Sequence, residues 1–375
     1  MKGYLMTSAG IITFHCAYNF GSALQTWALK TQLESLGLQV RTIDYRGKDF
    51  EKYELLRTSS LHAFAACIRY WGRNKRRKDS FEAFISTYLS PTDRRFTYRD
   101  EDEMGELAGQ FDAFVCGSDQ IWNLDCTQGP VAPYFLSFAG DRRRVAYAPS
   151  LAHASFDGRN FTEEDQERIR TWLGRFDAIS VREQETASLF QPLTSEHIET
   201  CLDPTLLMDG NEYRTLAASA HVPAVEGTLD DYLFVYMLEV HDGLIAYANK
   251  LAAKMHKKIV YVNKWDLSFE APAVNMYGVG PKEFLALVLG CHAVVTTSFH
   301  ATVFSLLLNR PFQTFSPGKS GTRMRGLLGA LGCEEHLIDG TAVTEPEAVD
   351  MDALTGRLEI LRGHSLTFLE RAMRG

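Results

Sequence analysis

Short apolar runs alternate with longer stretches of helical spacing, and the alternation occurs twice along this chain. Residues 9–15 (Ala-Gly-Ile-Ile-Thr-Phe-His) form an apolar run, after which Ala23, Leu24, Trp27, Ala28, Leu33 and Leu36 follow at helical spacing until Gly37 closes the turn. Residues 38–45 resume as a strand, which makes a βαβ opening. Further strands are expected at 111–116, 145–148 and 178–181, separated by helical or loop segments such as 162–175. Strands that alternate with helices in this way predict a parallel sheet covered by helices.

A second series begins at residues 232–237. It continues through a helix near 242–256, a strand at 258–262, a helix opened by Pro281 and capped by Gly290, and strands at 292–297 and 311–315. With 375 residues the chain exceeds what one hydrophobic core usually serves. The expected fold class is therefore α/β with two Rossmann-like domains, 1–210 and 228–345, joined through a stretch holding Pro204, Gly210, Pro223 and Gly227. Residues 47–100 fit poorly into a minimal sheet and read as a charge-rich helical insertion. Residues 346–375 read as a C-terminal helix expected to pack back on the first domain.

A net charge of −8 excludes a general nucleic-acid surface, so any anion site must be built from a few placed residues. The basic run Arg73-Asn74-Lys75-Arg76-Arg77-Lys78 is a solvated helix face or loop in the plainer reading, and a peripheral contact with an anionic membrane surface in the sharper one. Seven scattered cysteines without a Cys-x-x-Cys pair suit reduced thiols. No signal-peptide pattern and no run of about 18 apolar residues is present. A cytoplasmic location is expected. His-Glu-x-x-His, clustered Cys/His sets and Gly-x-Ser-x-Gly are absent, which favours a metal-free, cofactor-free transferase or a binding protein over a metallohydrolase or serine hydrolase.

Candidate chemistry gathers where predicted strands end. Residues 294–307 read as a buried strand, a polar step showing His300, and an apolar helix, which puts His300 on a strand-to-helix loop. The structural alternative is that His300 caps the helix or packs under the loop. After the first strand, Asn19 is placed to cap a helix whose start is kept small by Gly21 and Ser22. Gly-x-Gly-x-x-Gly is missing there, although Asp44 stands where a ribose-binding acid would. Gly117-Ser118-Asp119-Gln120-Ile121-Trp122-Asn123 closes another strand and reads either as a self-satisfied turn or as a sugar-binding surface, with Trp122 packing on sugar C–H groups. Arg182 offers a bidentate clamp for carboxylate or phosphate, or alternatively an ion pair with Glu183 or Asp203. Lys319 and Arg323 flank a small glycine-bearing loop; they either add positive charge or are solvated.

Six blocks in order carry a resemblance: Phe14-His15-x-Ala17-x-Asn19-Phe20-Gly21-x-x-Leu24-Gln25, Ile43-Asp44-Tyr45-Arg46, the Gly117–Asn123 loop, Val181-Arg182-Glu183, Leu202-Asp203-Pro204-Thr205 and Ser298-Phe299-His300-x-Thr302-Val303-Phe304. Together they resemble the polysaccharide pyruvyl transferase family over roughly residues 5–330. Two positions depart from the family pattern: Ala301 stands where glycine is expected, and Phe20 replaces the more usual tyrosine.

The resemblance implies a fold similar to the GT-B glycosyltransferase type, with a crevice between two Rossmann-like domains. It also implies transfer of pyruvate from phosphoenolpyruvate, as co-substrate, onto a sugar acceptor as a cyclic ketal. By the family's pattern His300 acts in proton transfer and Arg182 holds the donor. Lys319, Arg323, Ser298 and Thr302 are expected on the donor side. Asn19, Ser118, Gln120 and Trp122 are expected on the acceptor side, with Asp119 accepting a hydroxyl proton. Two competing expectations are a nucleotide-sugar glycosyltransferase of GT-B type and a non-catalytic glycan-binding protein.

Overall fold

The protein is described here as a computed structural model covering residues 6–48, 50, 70–152, 162–222, 231–315 and 321–374. Lys319 and much of the expected 47–100 insertion lie outside the described residues. The chain forms two compact units: Met1–Glu54, Phe81–Met208 and Ile360–Gly375 make the first, Leu55–Ser80 and Asp209–Glu359 the second. Each unit contains one six-stranded sheet in which every pairing is parallel.

The first sheet is built from β1 (Ser8–Ile12), β2 (Gln39–Thr42), β3 (Ala113–Cys116), β4 (Arg143–Ala146), β5 (Ala178–Val181) and β6 (Ile198–Thr200), in the spatial order β2-β1-β3-β4-β5-β6. Side chains alternate between its two faces, as the pleat requires. Phe114 and Cys116 enter the core that contains Trp122, Tyr134 and Phe190. Ala113 and Val115 enter the opposite core with Leu29, Leu33 and Phe368. Between β1 and β2 runs the helix Phe20–Ser35, started by the Asn19 side chain and ended just before Gly37, whose φ of 88° suits glycine best.

The second sheet comprises β7 (Tyr232–Tyr236), β8 (Lys258–Val262), β9 (Ala273–Asn275), β10 (Ala293–Thr296), β11 (Phe312–Phe315) and β12 (Leu337–Ile338). Its order, β9-β8-β7-β10-β11-β12, is that of a dinucleotide-binding Rossmann sheet counted from its own first strand. The α/β class with two Rossmann-like domains is thus the fold of this chain. Three edge strands, β6, β9 and β12, were not expected from the sequence. Each has three residues or fewer and lacks the apolar run of a central strand. Conversely, the apolar run 9–15 is strand only as far as Ile12, and Phe14 and His15 lie in the turn beyond it.

The basic run 73–78 lies on the helix Trp71–Tyr88. Arg73 bonds Asp266 and the Lys264 carbonyl, Lys75 pairs with Asp79, and Arg77 donates to the Tyr277 carbonyl. Among the described residues no helix is long and apolar enough to cross a membrane.

The helix Met351–Arg374 contributes Phe368, Leu369, Ala372 and Met373 to the core on one face of the first sheet. Arg362 donates to the Leu206 and Met208 carbonyls at 2.8 and 3.1 Å, and the Leu202 amide donates to Ser365 Oγ at 3.0 Å. Phe368 is 1 % exposed and packs beside Tyr147. Phe368→Ala should therefore cost about 3–5 kcal/mol, read as a lowered urea midpoint with an unchanged slope. A loss below about 1 kcal/mol would show that this helix is dispensable to the core.

Candidate functional site

In the first unit, the carboxyl ends of β1, β3, β4, β5 and β6 are tied together by polar side chains with almost no exposure. Arg182, immediately after β5, pairs with Asp203 at 2.7 Å and donates to Ser118 Oγ at 2.7 Å; the Arg182 and Asp203 side chains are 4 % and 0 % exposed. Ser118 Oγ donates onward to the Ala148 carbonyl at 2.6 Å. The Ser118 amide donates to Gln25 Oε1 at 3.1 Å, and Thr13 Oγ1 donates to the Ser118 carbonyl at 2.8 Å. Gln25 Nε2 closes the circuit on Thr13 Oγ1 at 3.0 Å. Asp203 Oδ1 accepts from the Thr205 amide and hydroxyl.

This network has a backbone requirement. Gly117 has a φ of 111°, and a Cβ there would overlap the Tyr147 carbonyl oxygen. Glycine lets the loop after β3 approach the end of β4 closely enough for Ser118 to reach Ala148.

Of the two alternatives for Arg182, the structure contains the ion pair with Asp203. Glu183 is engaged elsewhere, accepting from Ser150 and Thr186. Asp119 is 5 % exposed, has a φ of 71°, and accepts from the Ser22 hydroxyl and, at 2.9 Å, from the Gln120 amide. Gln120 is half-buried and accepts from Asn123 Nδ2 at 2.7 Å. Asn19 caps its helix by accepting from the Gly21 and Ser22 amides at 2.9 and 3.4 Å. Asn19, Ser118, Asp119 and Arg182 are thereby brought together through Ser22, Gln25 and Thr13.

Trp122 requires a correction. It is 0 % exposed, stacks on Phe135 at 5.1 Å with an interplanar angle of 3°, packs against Phe190 and Phe176, and donates from Nε1 to the Tyr134 carbonyl. Its ring faces are spent on the core, so it offers no surface to a sugar.

In the second unit, β10 passes into the helix Phe299–Leu307 through only Thr297 and Ser298. Ser298 caps that helix: its Oγ accepts from the Ala301 amide at 3.4 Å, while its own amide donates to Thr296 Oγ1 at 2.9 Å. Thr302, fully buried, donates to the Ser298 carbonyl at 3.1 Å. Ser298 and Thr302 thus hold the turn. His300 is not on a loop but is the second residue of the helix, half-buried, with its ring edge-to-face with Phe299 at 5.3 Å. Residues this early in a helix stand beside amides that the helix itself leaves unused. Ala301 is fully buried. Arg323 is the third residue of the separate helix Gly321–Leu331.

A second charged cluster had no assigned role in the sequence. His15 Nε2 lies 3.3 Å from Asp44 Oδ1, and Asp44 also accepts from Arg46 at 2.9 Å and Arg95 at 3.0 Å. Arg46 continues to Glu82 at 2.8 and 3.1 Å, which in turn accepts from Tyr18. Asp44 is therefore a paired core carboxylate and not an acid held out for a ribose. Cys16 brings a third donor atom within reach of His15 and Asp44. The two guanidinium groups already on Asp44 repel a metal cation there and make this a charge cluster.

Burial opposes a charge on His15, but the Cys16 sulfur and the Asp44 carboxylate outweigh it and raise its pKa to about 10. Asp44 is also buried at a cost, yet His15 and Arg46 hold its carboxyl well below the usual range.

The likeness of fold to known structures extends over nearly the whole chain. A structure of UDP-GlcNAc 2-epimerase from Neisseria meningitidis bound to UDP-GlcNAc matches with a TM-score of 0.53 at 8 % identity, covering 97 % of this chain and 94 % of that one. MnaA of S. aureus, solved with UDP, matches with a TM-score of 0.50 at 11 % identity, covering 98 % and 91 %. No curated protein sequence matches the chain. The class is thus the two-Rossmann-domain fold of GT-B type. Within it, the family model described as polysaccharide pyruvyl transferase matches residues 19–318, and the chain belongs to that family.

Two stability predictions follow from the buried charges. Asp203→Ala leaves Arg182 buried and uncompensated and should cost about 3–5 kcal/mol, whereas the double variant Arg182→Met/Asp203→Leu should recover much of that loss in chemical denaturation. Equal losses in the two proteins would show that the pair is not what holds the loops. The His15 contribution, raised in the folded state, should be complete below about pH 6.5 and fade as pH rises toward 10. His15→Gln should accordingly narrow its stability gap to the parent between pH 6.5 and 10, and a pH-independent gap would sink that assignment.

Proposed function

We propose that this transferase moves the pyruvyl group of phosphoenolpyruvate onto two hydroxyls of one sugar in a polysaccharide or its precursor, forming a cyclic ketal and releasing phosphate. The observation that carries the reading is His300. It stands in the first turn of a helix at the carboxyl end of β10, a turn held by Ser298, Thr296 and Thr302, and the resemblance gives the histidine of this block a part in proton transfer.

His300 delivers a proton to the methylene carbon of the enol, making C2 electrophilic. One sugar hydroxyl adds to C2 and loses its proton, phosphate departs with the C2–O bond pair, and the second hydroxyl closes the ring and loses its proton. Of the two hydroxyl protons released, one balances the proton given to the methylene carbon and the other goes to the departing phosphate oxygen. A histidine suits proton delivery near neutral pH. The positive end of the Phe299–Leu307 helix dipole suits an anionic donor, as do the charges of Arg323 and Lys319. Asp119 accepts a hydroxyl proton in this reading.

For Arg182 the pairing with Asp203 favours positioning of Ser118 and Asp119 over a direct clamp on the donor. An acceptor that is lipid-linked and presented at the inner face of the membrane belongs to the same reading, with the protein in the cytoplasm. The ion pairs of the basic run add no separate argument for it.

One kinetic experiment separates these roles. With phosphoenolpyruvate and a panel of free and lipid-linked glycans, His300→Gln should lower phosphate release about 10²–10⁴-fold. Near-full release would overturn the general-acid role. In the same assay Arg182→Lys should lower kcat with little change in the phosphoenolpyruvate KM, and a selective rise in that KM would restore the clamp. Tight binding of a nucleoside diphosphate with no response to phosphoenolpyruvate would point to a glycosyltransferase instead.

A further inference from the structure

We propose that an aromatic cavity at the carboxyl edge of the first sheet is the subsite that holds one sugar ring of the acceptor. This rests on the reading above, that the protein modifies a glycan. The cavity, about 190 Å³ in volume, is lined by Phe14, Tyr45, Phe50, Tyr98, Tyr134 and Glu101 among others. Phe14 stands two residues beyond the end of β1 and Tyr45 three beyond the end of β2; Thr127 and Gln128 of the segment after β3 also line it. In an open parallel sheet, ligands bind outside the carboxyl ends of the strands, where the strand order reverses. Here the order reverses between β1 and β3, the strands followed by Phe14 and by Thr127 and Gln128.

The shape of the cavity selects its occupant. Phe14 and Tyr134 meet at 5.3 Å and 86°, Tyr45 and Tyr134 at 5.4 Å and 85°, and Phe14 and Phe50 at 6.2 Å and 74°. These rings pack edge to face on one another, and none of the three pairs leaves a parallel slot for a flat nucleobase. The wall they make presents both ring edges and ring faces, which suits a puckered sugar ring with C–H bonds on its faces and edges. Sites that enclose larger ligands run from about 300 to 1,000 Å³, so this cavity suits a single ring better than a nucleotide sugar.

Polar groups lie where hydroxyls would need them. Tyr45 Oη donates to Glu101 Oε1 at 2.5 Å, and a carboxylate has room for further donors beyond one phenol. Burial pushes the Glu101 carboxyl above its usual range, a cost that hydroxyl donors relieve. Lys48 and Gln128, both exposed, complete the rim. Tyr45 and Tyr134, 1 % and 2 % exposed, form the back of the cavity, and half-buried Phe14, Phe50 and Tyr98 supply the ring surface beside Glu101 that buried Trp122 does not.

The test is saturation-transfer NMR on the full chain, without phosphoenolpyruvate, using the methyl glycosides of glucose, galactose, mannose and N-acetylglucosamine. At least one should receive saturation from the parent protein, and its Kd should weaken at least about fivefold in Tyr98→Ala and in Phe50→Ala. Glu101→Gln, which keeps the volume, guards against loss of folding and should also weaken binding; circular dichroism and Tm of each variant should match the parent. Undiminished binding in all three variants, or no transfer to any glycoside from the parent, would overturn the assignment. Phosphate release from phosphoenolpyruvate is scored separately. Glycoside binding in the cavity without turnover would leave the subsite standing and remove the pyruvyl donor, whereas turnover with an unchanged acceptor KM in Tyr98→Ala would do the reverse.

Discussion

The ion pair between Arg182 and Asp203 organises the carboxyl edge of the first sheet. Both side chains are withdrawn from water, and each charge is tolerable only because the other is present. Through Ser118 the pair reaches the ends of β3 and β4, and through Gln25 and Thr13 it reaches β1. Five strands that the chain supplies at widely separated positions therefore end in a fixed relation. Asp119 and Gln120 inherit that relation because they follow Ser118 directly.

Much of this architecture was legible in the sequence because parallel strands buried on both faces must be apolar along their length. Phe111-Asp112-Ala113-Phe114-Val115-Cys116 could hardly be anything but a central strand once helices flanked it. The edge strands β6, β9 and β12 escaped notice because an edge has neighbours on one side only and need not be apolar. The Asn19 cap was also legible, since a short polar side chain there meets the start of an apolar helical run, whereas at the later helix the capping alternative was given to His300 and it is Ser298 that caps.

Side-chain destinations were harder to read. Trp122 beside two amides has the same local sequence whether its ring faces a ligand or the core, and only Phe135, Phe176 and Phe190, contributed by distant segments, decide the matter. Arg182 presents the same ambiguity: the sequence offered Asp203 as one of two acid partners but held no information on which lay in reach. The pairing of His15 with Asp44 lies inside two of the resemblance blocks, yet nothing in either block alone indicates that they meet. Likewise, the rings around the aromatic cavity come from four separate stretches of the chain, so no window of sequence shows them as a set. What could be read locally was backbone conformation; what could not was the meeting of remote side chains.

The packing of Phe368, Leu369, Ala372 and Met373 against the first sheet carries a consequence for how the protein is made. A ribosome delivers β1 to β6 well before these residues, and until they arrive one face of that sheet lacks part of its cover. The second unit is synthesised in the interval. A nascent chain stalled anywhere in that interval would present apolar surface from Ala9, Ile11, Val115 and Val145, the kind of surface on which chaperones act and aggregates begin.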